Sequence, residues 1–128
     1  MIIGIILSHG PLAEAMVEAC KCIIGEIDHL YALRCDDCSR ESLYEQLTHL
    51  VTSPEAREGV FIFVGLKGGS CWNVAARVVH EHDRVELISG ANISLILSFL
   101  MKRDRFRFEN LGEILINDAF RGITRYTK

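Results

Sequence analysis

Hydrophobic residues along this 128-residue chain fall into two kinds of stretch. The first is a short unbroken run. Ile2 to Leu7 is interrupted only by Gly4, and Val60 to Val64 is apolar throughout. Runs of that length without polar alternation read as strands covered on both faces. His29 to Leu33 and Val85 to Ile88 are shorter candidates of the same kind. The second kind repeats every three or four positions, the helical period. Leu12, Met16, Ala19 or Cys20, and Ile23 make one stripe, with Gly25 as a C-terminal stop. Leu43, Leu47 and Leu50 make another, with Ser39 as a start signal and Ser53 and Pro54 as the end. Asn73 to His82 carries Val74, Val78 and Val79 on one face. Ile93 to Met101 is apolar almost all round, and Leu111 to Phe120 is a last helix. Gly122 to Tyr126, polar at alternate positions, reads as a short β-type segment suited to a sheet edge.

The elements alternate as β-α-β-α-β-α-β-α-α-β. Such alternation implies right-handed crossovers, and hence a doubly wound α/β fold. The expected architecture is a mainly parallel four-stranded sheet with helices on both faces and a short C-terminal edge strand. Length predicts one domain over residues 1–128. The apolar helix Ile93 to Met101 has one face for the sheet. Its other face needs a second cover, for which a dimer partner is the candidate.

A net charge of −3 gives no nucleic-acid footprint. Lys102, Arg103, Arg105 and Arg107 are interleaved with Asp104 and Glu109 and read as a solvated face. No run reaches the ~18 apolar residues of a membrane span, and the amino terminus has no signal-peptide pattern. The expected location is cytoplasmic. The five cysteines are odd in number and sit in an ordinary core-forming sequence, which predicts reduced thiols. Cys35 and Cys38 form a C-x-x-C pair with no second pair to complete a zinc site, so they read as structural or incidental. No metal and no cofactor is expected.

The candidate chemistry lies where strands end. The first apolar run stops at Ser8, His9 and Gly10, which places an imidazole at the carboxyl edge of the sheet, where α/β folds bind ligands. A second loop, Gly65 to Ser70, has three glycines, Lys67 and Ser70 ahead of a helix. Its amides and helix terminus suit an anion. A third loop runs from Ser89 to Asn92, and all three can converge on one crevice. A histidine facing a glycine-serine nest suits a phosphohistidine, with the ring nitrogen as nucleophile. Ser70 can also serve as an N-cap, and Trp72 as a core residue or a lid over the crevice.

Ile2 to Glu14, Gly59 to Val64, Gly68 to Ser70 followed by Asn73, Val85 to Ile93, and Arg121 to Ile123 stand in an order that resembles the IIA domain of mannose-family sugar phosphotransferase systems (PTS). The resemblance covers essentially the whole chain. It implies a cytoplasmic phosphocarrier in which His9 accepts phosphate from HPr and passes it to a IIB partner. Its enzymatic character is that of a phosphotransferase component. It also implies a homodimer that exchanges the last strand, here about Gly122 to Tyr126. No nucleic acid and no membrane insertion are implied, though association with membrane permease subunits fits. On this reading Lys67, Gly68, Gly69 and Ser70 bind phosphate, and Ser8, Gly10, Gly65, Trp72 and Asn73 support the site.

The sequence departs from the family pattern in one loop. The family usually has an aspartate directly after the third strand, an aromatic two residues on and a proline after the serine. Here these positions hold Gly65, Lys67 and Cys71. Loss of the aspartate removes an orienting partner for the imidazole, and it also removes a negative charge from the path of a phosphoryl group. Lys67 adds a positive charge that can hold phosphoryl oxygens. The alternative is a regulatory binding module with impaired or no phosphotransfer that signals through partner binding.

Overall fold

The two unbroken apolar runs become the two central strands. In the computed structural model, which describes residues 1–128, β1 (Ile3–Ser8) and β3 (Val60–Val64) are buried at every position. β2 (Leu30–Arg34) and β4 (Val85–Ser89) flank them in the order β2-β1-β3-β4, and every pairing is parallel. Helices α1 (Leu12–Ile24), α2 (Arg40–Val51), α3 (Gly69–Glu81), α4 (Ile93–Lys102) and α5 (Phe108–Arg121) cover both faces, as the alternation predicts.

The side-chain period of two divides the core. Ile3, Ile5, Leu7, Val60, Ile62 and Val64 face Leu43 and Leu47 of α2 and Val74, Ala75 and Val78 of α3. Ile6, Phe61 and Phe63 face α1, α4 and α5 through Ala13, Cys20, Leu95, Phe99, Leu111 and Leu115. Each fully buried side chain of this size contributes roughly 1.5–3 kcal/mol. Gly4 interrupts β1 for a packing reason: a Cβ there would run into the ring of Phe99 and the side chain of Leu30. Phe99 in turn meets Phe63 edge-on at 5.1 Å.

Several boundaries move. The buried stripe of α1 is Ala13 and Cys20, with Met16 and Val17 partly buried, while Leu12 and Ile23 are exposed. Helix α3 starts at Gly69, four residues before the expected Asn73, so Ser70 lies inside its first turn and is not its cap. The second face of α4 is covered from within the chain. Helix α5 packs on it, Ser98 Oγ donates to Asp118 Oδ2 at 2.5 Å, and Lys102 pairs with the same carboxylate. Arg103 is not on a solvated face. It is buried and donates to the carbonyls of Ile2, Asp28 and His29 at 3.2, 2.7 and 3.1 Å.

The C-terminal segment forms no edge strand within the single chain. Residues 123–128 have no regular secondary structure and are exposed. A strand needs a neighbour to accept its ladder hydrogen bonds, and within the single chain this segment has none.

Candidate functional site at the carboxyl edge

With β1 beside β3 and the chain winding outward in opposite directions from them, their carboxyl ends form the topological switch point of the sheet. The loops that leave β1 and β3 both open there. Ser8 is buried, and its Oγ accepts from the amide of Ala13 at 2.8 Å, which satisfies a first-turn donor of α1. Gly10 turns with φ +61°, a conformation that a β-carbon disfavours, and lets the chain enter α1 directly after His9. His9 is exposed. It lines a cavity of about 250 Å³ with Ser8, Leu12, Gly65, Gly68, Gly69 and Cys71 among its neighbours.

The far wall of this cavity is the start of α3. Gly68 precedes the helix with φ +87°, no side chain caps the helix, and its first turn holds no acidic residue. Its leading amides are therefore free for an anion. Lys67 is exposed at the rim, does not line the cavity and has no acidic partner. Ser70 is half-buried and also outside the lining. Trp72 is partly buried and packs against the α2–α3 core, so it is not a lid. Asn73 faces a separate depression with Arg40, Glu41, Tyr44 and Arg77.

The third loop does not join the crevice. Ser89, Gly90 and Asn92 line a different hollow with Leu95, Ile116, Phe120 and Ile123. Asn92 Oδ1 instead caps α4 by accepting from the amide of Leu95 at 2.7 Å.

The loop after β2 takes its place, an arrangement that hydrophobic periodicity does not signal. Asp36 Oδ1 accepts from the amide of Gly10 at 3.0 Å, and its carboxylate pairs with Arg34 at 3.1 Å. The hydrogen bond from Arg34, then that from Gly10, holds the Asp36 carboxyl at a pKa of about 2. Cys35 and Cys71 form a disulfide, where reduced thiols were expected. Their Cα atoms are 5.9 Å apart, and the pair spans from the end of β2 to the first turn of α3. The odd cysteine count concealed this pairing, because three other cysteines remain free. Cys38 is not the partner of Cys35. It lies against the carbonyl of Arg34 and the side-chain amide of Gln46. His9 Nδ1 lies 3.7 Å from Cys71 Sγ.

A family profile described as PTS system fructose IIA component matches residues 4–116. The chain belongs to this mannose-type IIA family. The sorbose-specific EIIA component of Klebsiella pneumoniae is 30% identical over 115 residues, covering 90% of this chain and 84% of that protein. The mannose-specific EIIAB component of Escherichia coli K12 is 29% identical over 106 residues, covering 81% of this chain. The chain spans only about a third of that two-part relative, whose matched portion is 33% of its length. A crystal structure of an EIIA component from Streptococcus agalactiae superposes with a TM-score of 0.90 at 21% identity, covering 98% of this chain and 97% of that one. It supports the doubly wound fold. No helix is long and apolar enough to cross a membrane.

Proposed function

We propose that this IIA component is a cytoplasmic phosphocarrier that accepts a phosphoryl group from HPr on His9 and passes it to a IIB partner. The observation that carries this reading is an exposed imidazole sharing one cavity with the uncapped amino terminus of α3. The imidazole nitrogen is the nucleophile. A disulfide sulfur has no hydrogen to give, so in the contact with Cys71 it is Nδ1–H of His9 that donates. That tautomer leaves the lone pair on Nε2 to attack the incoming phosphorus in line. The amides of Gly69, Ser70 and Cys71 stabilise the equatorial oxygens, and Gly68 and Gly69 leave room for their approach. Lys67, free of an acidic partner, adds a cation at the rim. Asp36 fixes the backbone beside His9 through Gly10, so a carboxylate from the loop after β2 supports the turn although Gly65 supplies none.

The exposed apolar side chains of Ile116, Phe120 and Ile123 beside the hollow of the third loop support a homodimer in which the terminal segment pairs with a second copy. Association with membrane permease subunits would place the carrier near the transported sugar. Incubation with phosphoenolpyruvate, the general phosphotransferase enzyme and HPr tests the main reading. Acid-labile phosphate on His9 is expected, and its absence with HPr fully phosphorylated overturns the carrier role.

A further inference from the structure

The disulfide at the crevice is unusual for a chain of cytoplasmic setting, where thiols are kept reduced and cystines are mostly transient. Reduction here does not leave two isolated thiols. Cys35 Sγ, Cys71 Sγ and a ring nitrogen of His9 all lie within 4.8 Å of one another. We propose that the reduced pair and His9 form a site for one Zn²⁺-class ion.

The chemistry of the donors selects the ion. Two thiolates and an imidazole are soft and borderline ligands that favour zinc over magnesium or calcium. Tetrahedral zinc at its usual bond lengths places a sulfur and an imidazole nitrogen about 3.6 Å apart and two sulfurs about 3.8 Å apart. Cys71 Sγ and His9 Nδ1 already stand at 3.7 Å. The two sulfurs need to separate, which breaking their bond allows, and Cys35 Sγ, within 4.8 Å of the ring nitrogen, needs to settle at the same spacing from it. Two small thiols supply the electrons: Cys35–S–S–Cys71 and two R–SH give two cysteine thiols and R–S–S–R. Zinc then displaces the two thiol protons to solvent. Two thiolates neutralise the ion, and three protein ligands leave a fourth position for water or an anion. Cys71 is buried, Cys35 half-buried and His9 exposed, so the site is anchored on one side and open on the other.

The site has a consequence that rests on the carrier reading. An ion on Nδ1 moves the imidazole proton to Nε2, which removes the nucleophilic lone pair. Zinc-loaded protein is then unable to accept phosphate, and a chelator restores acceptance.

The test of the site itself does not involve phosphotransfer. Protein reduced with a phosphine under anaerobic conditions is titrated with Zn²⁺, and with Co²⁺ to read the thiolate-to-metal charge-transfer band. One ion per chain is expected. His9→Ala and Cys71→Ser are each expected to weaken binding at least ~10-fold, on the scale of losses around metal sites. Alkylation mapped on the unsubstituted protein guards against a variant that fails to fold. Zinc must protect Cys35 and Cys71 while Cys22 stays reactive. No stoichiometric metal, reoxidation to the disulfide in preference to binding, or protection confined to Cys20, Cys22 or Cys38 overturns the proposal.

Discussion

The two ends of the parallel sheet are built on opposite terms. At the amino end most charges around the hollow are tied into structure. Arg103 holds the carbonyls of Ile2, Asp28 and His29, Arg84 binds the Glu58 carbonyl and the Glu109 carboxylate, and the amino group of Met1 pairs with Glu58. A hollow of about 410 Å³ lies there, larger than the one at His9, lined by Met1, Glu58, Arg84, Arg103 and Glu109 among others. At the carboxyl end the groups are left open: an exposed imidazole, an uncapped helix and a lysine with no partner. Cavity size alone favours the amino end, whereas the carrier reading rests on the other. The end with unspent polar capacity is the one on which the proposed phosphoryl transfer depends.

Substitution at each end should separate function from stability. His9→Ala is expected to abolish phosphoryl acceptance while changing unfolding free energy by less than about 0.5 kcal/mol, as for other exposed positions. Autoradiography after incubation with phosphorylated HPr, alongside chemical denaturation, checks both halves. A large loss of stability would break the comparison. The disulfide is the exception at the open end, because it serves stability there. A bridge across 36 residues contributes about 3–4 kcal/mol by loop-closure entropy. Denaturation with and without reductant, in the presence of chelator, should show that difference. Equal midpoints would mean that the bridge constrains nothing the fold had not already fixed.

At the amino end, Arg103→Met keeps much of the packing on Phe99 but leaves the carbonyls of Ile2 and Asp28 without their donor. The expected loss is about 2–3 kcal/mol with phosphoryl acceptance retained in the folded fraction. Loss of acceptance at full stability would instead tie the two ends together.

The sheet was legible in the sequence because burial on both faces demands unbroken apolar runs, and Ile2 to Leu7 and Val60 to Val64 have no other use. His9 was legible because Ser8, His9 and Gly10 end one of those runs. Strand order was not encoded in periodicity, and the remainder of the site depends on it. Cys35 meets Cys71, and Asp36 meets Gly10, only because β2 lies beside β1 and β1 beside β3. The same gap misplaced the loop of Ser89 to Asn92, since β4 lies on the far side of β3. Gly122 to Tyr126 stands apart for a different reason: alternation describes a strand face, and the neighbour that would complete it lies outside the single chain.

Gly65 offers a smaller test within the open end. A Cβ there meets nothing within 4 Å, and its φ is outside the left-handed region, so Gly65→Asp fits without strain. Its carboxylate would enter the cavity that His9 lines. Stability should change by less than about 0.5 kcal/mol. The rate of phosphoryl acceptance should rise about tenfold, the low end of what an orienting partner supplies to a histidine. An unchanged rate would mean that the contact with Cys71 already orients the ring.

The smallest expected effect concerns Asp36, the one strongly perturbed carboxylate at the open end. Its folded pKa is about 2 against an ordinary 3.8, through Arg34 first and the Gly10 amide second. A depressed carboxylate pKa stabilises the fold above the unfolded value, and that contribution disappears as pH falls from about 4 through about 2. Asp36 is exposed to solvent, so the effect is small and screened by salt. Thermal midpoints measured from pH 5 to pH 2 should fall slightly more for the unsubstituted protein than for Asp36→Asn, and the gap should close below pH 2. Because Asp36 binds the backbone next to His9, the variant should also loosen the turn at Gly10, read as faster amide exchange there. Identical pH profiles with unchanged exchange would show that the turn is held by Ser8 and the φ of Gly10 alone. The carboxyl end would then contain no charge committed to structure, and the contrast between the two ends would be sharper than the hydrogen bonds imply.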